Sequence, residues 1–381
     1  MQANEIGVRK KEAGMECLVY RVTMRHPGDA SGVTWLIDSG MIAADAIAAI
    51  FGKTEGNGCV NDFTRGYALS ALSSALAPRL GLAPEAVPAR IPMVMSGGTE
   101  GGLSPHFLVF AVMPGDLPDP GRKALAIGAV ATAPLRPEEI GRMPQVGATA
   151  AGVRAAMERA GITDPSDVHW VQVKCPLLTS ERVADARAGG MDTATIDTYA
   201  SMGLSRGAAA LGVALALGEL APETLDNAVI GSDLALWSGR ASCSAGIELM
   251  NSEIIVLGNS ADWTGDRVIA HHVMRDAIDF PAVGAVLGAL GFVGAGQLDE
   301  TAAARIDAVL VKAEASRSGT IRGARHIMND DSDIHSTRHA RAMVGGVVAA
   351  AVGFTELFVS GGAEHQGPDG GGPIAIIAHR A

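Results

Sequence analysis

The amino-acid sequence predicts an α+β fold built from three tandem homologous units. Three recurring patterns predict it: a Ser followed by small residues and a Glu, a hydroxyl residue and Arg before an Ala-rich stretch, and a Lys after an apolar run. The order Lys, Arg, Ser recurs three times with unequal gaps along the 381 residues. One fold unit with loops of different length would give this pattern, so we interpret the three sets as copies of one unit.

Each pattern supplies candidate functional residues. The serine segments are SGGTE (96–100), SAGIE (244–248) and SGGAE (360–364). The arginines are Arg65, Arg206 and Arg338, and the hydroxyl residue before each is suited to cap a helix that begins there. The lysines are Lys53, Lys174 and Lys312.

Predicted strands and helices fit the repeat. Each unit opens with an apolar strand, has a strand that ends near its Lys and another near its Ser, and closes with a strand such as EIIVLG. Stretches rich in Pro, Gly and Asp at 113–123 and 258–267 are candidate linkers. The predicted units are therefore 1–115, 122–258 and 266–381.

Composition excludes several classes of function. Hydrophobic residues make up 48% and charged residues 19% of the chain, which indicates a globular protein with an ample core. The formal net charge of −11 argues against a nucleic-acid partner. We find no apolar run near the ~20 residues that cross a bilayer and no evident signal peptide, and the four scattered cysteines indicate reduced thiols. We therefore expect a cytoplasmic protein.

The repeated residues suggest a pocket. Three similar units tend to close around a pseudo-threefold axis, where three Arg, three Ser and three Lys could surround one small, flat ligand with oxygens around its rim. A Ser needs a base to attack an amide carbon, and a Lys whose pKa is lowered by burial and neighbouring cations can serve. Taken singly, these residues are those of ordinary turns and surface pairs, and a binding protein without catalysis could use the same geometry.

At these same residues the sequence resembles the cyclic amide hydrolase family, which contains cyanuric acid hydrolase and barbiturase. The matching stretches are 52–68, 94–106, 171–179, 197–216, 241–249, 312–316, 331–342 and 359–373. The resemblance implies three α+β units with pseudo-threefold symmetry, in which the strands form a central barrel-like core with helices outside. It also implies hydrolysis of a ring C–N bond and suggests a homotetramer.

The resemblance assigns roles to the repeated residues. Ser244 of the middle unit would be the nucleophile, and Lys174 its base, with Lys53 and Lys312 as electrostatic helpers. The residues implied to hold the substrate are Arg65, Ser96, Gly97, Arg206, Ser244, Ala245, Arg338, Ser360 and Gly361. The resemblance leaves open cyanuric acid, barbituric acid or another cyclic imide, because positions such as Cys243 and 327–335 could shift the choice of substrate.

A structural divalent cation, Mg²⁺ or Ca²⁺, is also implied by the resemblance. Its ligands would be the side chains of Glu314 and Gln366 and the backbone oxygens of Ala363, Gly367, Pro368 and Gly371. Such hard oxygen ligands suit either ion. His365 lies in the same loop, and we expect it to pack or to form hydrogen bonds and not to bind the metal.

Overall fold

The computed structural model describes residues 14–294 and 296–380. The first thirteen residues of the predicted first unit, which include most of the segment searched for a signal peptide, lie outside this range. So does the last residue of the predicted third unit.

The described residues form fifteen strands, most of them in the apolar runs that predicted them. In chain order they are β1 (Gly14–Thr23), β2 (Ile47–Thr54), β3 (Met93–Gly97), β4 (His106–Gly115), β5 (Ala124–Ala131), β6 (Val168–Pro176), β7 (Ala241–Gly246), β8 (Glu253–Ser260), β9 (Trp263–Thr264), β10 (Arg267–Met274), β11 (Ile306–Ala313), β12 (Thr320–Ile321), β13 (Ala324–Arg325), β14 (Phe358–Gly361) and β15 (Gly372–His379).

Nine α-helices occur within the described ranges, several of them Ala- and Gly-rich. They are α1 (Ser31–Asp38), α2 (Phe63–Leu80), α3 (Val87–Arg90), α4 (Met143–Arg159), α5 (Ser180–Ala188), α6 (Thr198–Ala216), α7 (Phe280–Ala289), α8 (Glu300–Ala303) and α9 (Ser336–Val352).

Three sheets repeat one topology. Their strand orders are β3-β2-β4-β1, β7-β6-β8-β5 and β14-β11-β15-β10, which place the third, second, fourth and first strand of each set side by side. In every sheet the second and third strands are parallel, and the fourth strand is antiparallel to both of its neighbours. The short β9, from the predicted second linker, joins the edge of the first sheet beside β1.

The main core lies where the three sheets face one another. One buried cluster contains Phe51 of the first sheet, Trp170 of the second and Phe358 of the third. The rings of Phe51 and Phe358 are 5.6 Å apart, so the first and third sheets touch directly. Burial of such large apolar groups is the main force that holds the sheets together.

Helices cover the outer faces of the sheets. A second cluster joins the third sheet to α7 and α9, and a third cluster joins the first sheet to α1, α2 and α3. In the second sheet α6 packs on β6 and β7, and α4 packs on α6. The predicted arrangement of strands inside and helices outside is therefore observed, but the strands of the described ranges form separate sheets and no closed hydrogen-bonded barrel.

The predicted helix starts at the three arginines are wrong. The hydroxyl residues Thr64, Ser205 and Thr337 lie inside α2, α6 and α9, and the caps are residues upstream of them. Asp62 and Asp197 accept backbone N–H bonds at the starts of α2 and α6 because a carboxylate satisfies these donors well. Among the described residues, no helix combines the length and apolar character that crossing a membrane requires.

Candidate active site

The lysines and serines of the sequence motifs lie side by side on neighbouring strands. In each sheet the second strand carries the lysine and the parallel third strand carries the serine, as register partners. The pairs are Lys53 with Ser96, Lys174 with Ser244, and Lys312 with Ser360. Because side chains alternate between the faces of a sheet, the two members of each pair share one face near the carboxyl ends of their strands.

All three serines line one small cavity of about 30 Å³. The cavity brings together every residue predicted to hold the substrate except Arg338. Its lining residues are Gly58, Arg65, Ser96, Gly97, Met202, Arg206, Ser244, Ala245, Arg341, Ser360 and Gly361. The volume suits one or two water molecules and is too small for a flat six-membered ring, so side chains must move before such a ring can enter.

Arg341 lies where Arg338 was expected. Arg341 is 3% exposed and lines the cavity, whereas the side chain of Arg338 is 39% exposed and does not. The two arginines are three residues apart on α9, and the motif selected Arg338 because a hydroxyl residue precedes it, whereas Ala340 precedes Arg341. Arg341 shares the apolar face of the helix with Val344 and Val348, three and seven residues on, and this periodicity could have identified it.

The cavity arginines connect neighbouring sheets through glutamates. Arg206 forms two hydrogen bonds, of 2.8 and 2.7 Å, with Glu364, and Arg341 forms two, of 2.8 and 2.5 Å, with Glu100. Each glutamate ends the serine segment of another sheet. Two-pronged contacts of this kind fix the plane of a guanidinium group as well as its position.

Arg65 lines the cavity as well, but within the described structure it forms no ion pair with Glu248, the glutamate of the middle segment, and donates to the carbonyl oxygen of Cys59. Burial would raise the pKa of Glu248, but Lys174 and Arg65 together lower it to about 2. Arg–Glu ion pairs therefore join the second sheet to the third and the third to the first, whereas Arg65 of the first sheet acts on Glu248 of the second through its charge.

Lys53 and Lys312 are fully buried and hold their own serines. Lys53 Nζ donates to Ser96 Oγ at 3.2 Å, and Lys312 Nζ donates to Ser360 Oγ at 3.3 Å. Each Nζ also donates to the carbonyl oxygen of the glycine after its serine, at 3.0 and 3.1 Å. These two lysines thus tie the ends of their strand pairs together.

Lys174 differs from its two counterparts. Its Nζ lies 2.8 Å from Glu248 Oε1 and 3.4 Å from the carbonyl oxygen of Met95, and no hydrogen bond joins it to Ser244. The Ser244 Oγ is buried and has no hydrogen-bond partner among the described residues. The middle sheet therefore presents a lysine and a serine that are adjacent but unjoined.

Burial lowers the pKa of all three lysines. For Lys53 and Lys312 burial is the largest cause, and the nearby guanidinium groups of Arg341 and Arg206 respectively add to it, which brings the pKa of Lys312 to about 8. Burial also lowers the pKa of Lys174, although Glu248 opposes the shift. A neutral amine, which a general base requires, is thus more accessible here than in water.

A larger cavity of about 550 Å³ is lined by Lys174, which is not among the residues that line the serine cavity. It runs between α2 and β3 of the first sheet and the end of β7 in the second. Its wall carries the charged residues Asp62, Arg65, Lys174, Glu248 and Glu253 and apolar residues such as Met93, Met95, Ile247 and Leu249. Arg65 lines both this cavity and the serine cavity.

The residues predicted to bind a cation cluster around one loop. The Glu314 carboxylate accepts hydrogen bonds from the backbone N–H groups of Ala315, at 3.1 Å, and Ala363, at 2.8 Å, and forms no ion pair within the described ranges. Burial and the neighbouring Glu364 raise the pKa of Glu314. A buried carboxylate beside a second one, with only amide partners, is an environment that fits a cation.

Gln366 and His365 have partners of their own in this loop. The Gln366 amide accepts a hydrogen bond from the backbone N–H of Cys243 at 2.6 Å and donates to the carbonyl oxygen of Gly362 at 3.1 Å. His365 accepts from the N–H of Gly231 at 2.7 Å, and its other ring nitrogen contacts the carbonyl oxygen of Leu236. Both side chains hold the loop against the second sheet.

Two further carboxylates near Lys174 were missed in the sequence, Glu248 and Glu253. Glu248 could have been found, since a Glu ends all three serine segments. Glu253 could not have been found from the sequence, because only the register of β6 and β8 brings it opposite Lys174.

Residues 18–379 match the model of a protein family described as amidohydrolase ring-opening protein. The chain is 58% identical to cyanuric acid amidohydrolase of Azorhizobium caulinodans over 362 residues, which cover 95% of this chain and 98% of that protein. It is 53% identical to cyanuric acid amidohydrolase of Enterobacter cloacae over 370 residues, which cover 96% of this chain and all of that protein.

Solved structures agree with these sequence matches. A structure described as "Cyanuric acid hydrolase: evolutionary innovation by structural concatenation" superposes with a TM-score of 0.91 at 49% identity and covers 96% of this chain and all of its own. The cyanuric acid hydrolase from A. caulinodans gives a TM-score of 0.88 at 56% identity and covers 96% of this chain and 99% of its own.

Proposed function

The chain belongs to the family of ring-opening amidohydrolases, and we propose that it hydrolyses a ring C–N bond of cyanuric acid. The observation that carries this choice is the cavity in which three serines and three arginines meet. Cyanuric acid is itself threefold, with three carbonyl and three N–H groups. The relatives of this chain described above are named cyanuric acid amidohydrolase.

We propose that a pseudo-threefold axis passes through this cavity and relates three units at 1–115, 122–258 and 266–381. The common strand order and the two Arg–Glu ion pairs between sheets support this arrangement. Each unit would then offer one guanidinium, one hydroxyl and one backbone turn to one edge of the ring. The guanidinium of the third unit is that of Arg341 in this proposal, in place of Arg338.

In the proposed reaction the Ser244 hydroxyl attacks a ring carbonyl carbon while Lys174 takes its proton. The ring C–N bond then breaks, and Lys174 returns the proton to the leaving nitrogen. Water hydrolyses the acyl-enzyme and restores Ser244. The product carboxybiuret loses CO₂ to give biuret.

The choice of the middle pair is supported by its free groups. Ser244 Oγ has no partner in the described structure, whereas the other two serine hydroxyls each accept a hydrogen bond from a lysine. The closest approach of Lys174 Nζ to a charged group is to Glu248. A short side-chain rotation would bring this Nζ to its register partner. Lys53 and Lys312 would then be electrostatic helpers that orient the ligand through the serines that they hold.

A structural divalent cation remains part of the proposal. The Glu314 carboxylate and the carbonyl oxygens of Ala363, Gly367, Pro368 and Gly371 would hold it, and it would neutralise the buried carboxylate and fix the loop that follows Ser360. The Gln366 side chain fits this role less well, because its amide is already engaged by backbone groups. A homotetrameric assembly and a cytoplasmic location stay predictions.

The test is direct incubation of the purified protein with cyanuric acid and, separately, with barbituric acid, while the ring absorbance is followed. We expect loss of cyanuric acid in the wild type and none in Ser244→Ala. Loss of barbituric acid alone would make the protein a barbiturase. Tight binding of either ring without its loss would point to the non-catalytic binder.

A further inference from the structure

The strand opposite each lysine carries a different residue in each sheet. In the second sheet Lys174 is the register partner of Glu253 on β8, and in the first sheet Lys53 is the partner of His106 on β4. In the third sheet Val311 pairs with Ile374, so the next position places Pro373 opposite Lys312. Only the middle lysine of the three therefore has a carboxyl group across the sheet.

Glu253 reaches two spaces, one of which it shares with Lys174. It lines the 550 Å³ cavity together with Lys174, and it also lines a neighbouring groove of about 700 Å³ that Lys174 does not reach. Register partners on antiparallel strands have their Cβ atoms about 5 Å apart on one face of the sheet. The carboxyl group and the amine therefore share one face and one cavity, in which water can bridge them, although no direct ion pair joins them in the described structure.

The charge around Lys174 creates a need for such a group. An ionised Glu248 at 2.8 Å favours the ammonium form of Lys174, yet only the neutral amine can take the proton of Ser244. Burial raises the pKa of Glu253 to about 7, Glu248 adds to this, and Lys174 opposes it. Burial lowers the pKa of the lysine, so the two values approach each other, and a proton can move between the groups through water of the shared cavity at little cost.

We propose that Glu253 is a proton-relay residue that takes the excess proton from the Lys174 ammonium and passes it to water in the 550 Å³ cavity. Its carboxylate gains the proton as the amine becomes neutral, and loss of the proton to water then restores the carboxylate. The inference rests on the proposed function, because it assumes that Lys174 is the base.

Other charged groups around the relay set its pH range. Besides Lys174 and Glu248, the walls of the two spaces that Glu253 lines carry Asp62, Arg65, Arg90 and Arg159. Below about pH 7 Glu253 is protonated and cannot accept. We therefore expect wild-type turnover to rise with pH through this region.

The test compares Glu253→Gln with the wild type across a pH series. At neutral pH we expect kcat/KM to fall by about 10²-fold, because a positioned acid or base contributes at least this much. Activity should recover as the pH rises further, since Lys174 can then lose its proton directly to water. Imidazole buffer that enters the cavity should restore turnover in proportion to its concentration, and Glu253→Asp should keep part of the activity.

Glu223→Gln is the matched control, because Glu223 is exposed and remote from the cavity residues. An unchanged pH profile in Glu253→Gln, or a uniform loss that neither high pH nor imidazole repairs, would overturn the relay. Both outcomes require a wild-type protein that hydrolyses the ring. If the proposed function is wrong, the wild type itself leaves the ring intact, so the two failures can be distinguished.

Discussion

The middle lysine–serine pair and its two outer counterparts share one backbone arrangement and differ in their side-chain contacts. All three pairs are register partners on parallel strands. In the outer sheets the lysine donates to its serine, whereas Lys174 contacts Glu248 and leaves Ser244 without a partner. The same scaffold thus holds two fixed pairs and one pair whose members remain available.

The difference originates outside the strands. A glutamate ends each serine segment, but Glu100 and Glu364 are occupied by Arg341 and Arg206, which form two hydrogen bonds with each. Arg65 instead donates to the carbonyl oxygen of Cys59 at 2.8 Å. Glu248 is therefore free to contact the lysine. The choice of cation for each glutamate decides which lysine is tied to its serine.

Replacement of the serines gives the largest expected effect. Ser244→Ala should lower kcat by roughly 10⁴-fold or more, because the nucleophile and its acyl intermediate are lost. Ser96→Ala and Ser360→Ala should each cost about 10²-fold, as expected for removal of one donor to the ring. Steady-state kinetics measure these losses, and mass spectrometry of quenched enzyme locates the acyl group.

Equal losses of kcat in the three serine variants would contradict the distinction between the middle lysine–serine pair and the two outer pairs. So would an acyl group on a peptide that contains Ser96 or Ser360. Thermal unfolding of each variant serves as the control for folding.

Replacement of the two arginines of α9 gives an intermediate effect. Arg341→Lys keeps the charge but removes the planar pair of donors, so we expect KM to rise by about 10- to 100-fold, the equivalent of a lost hydrogen bond to a charged group. Arg338→Lys is the matched control one turn away and should change KM less than about twofold. A larger rise of KM in Arg338→Lys than in Arg341→Lys would instead mean that Arg338 is the third arginine that binds the substrate.

Glu248→Gln gives the smallest expected effect in a stability measurement. The folded pKa of Glu248 is about 2, below the value of about 4.3 for an unfolded chain. Its ionised form therefore contributes stability above about pH 4.3, and this contribution is lost as the pH falls towards 2. The difference in melting temperature between wild type and variant should thus narrow from about pH 6 to about pH 3. A constant difference would mean that Glu248 does not form the ion pair with Lys174.

The sequence predicted the strands and the lysine–serine pairs because both follow from local patterns. A short apolar run forms a strand, and a residue at the end of one strand lies near the end of its parallel neighbour. Side-chain partners were harder to predict. The contacts of Lys174 with Glu248, and of Gln366 with Cys243, depend on how separate sheets pack. Arg341 was missed because Ala340 precedes it, so the motif of a hydroxyl residue before Arg selected Arg338.

The origin of the cavity walls has a consequence for how the site could diverge. Each of the three sheets, with its helix, supplies one part of the wall, so a lone copy of the repeat has no complete pocket. In an assembly of three identical subunits any mutation would enter the pocket three times. In a single covalent chain a mutation changes only one of the three repeats. Ala245 and Glu253 can therefore differ from their counterparts while the corresponding residues of the other two repeats stay unchanged. Joining the copies in one polypeptide thus allows a nearly symmetric binding site to carry out a reaction on one bond only.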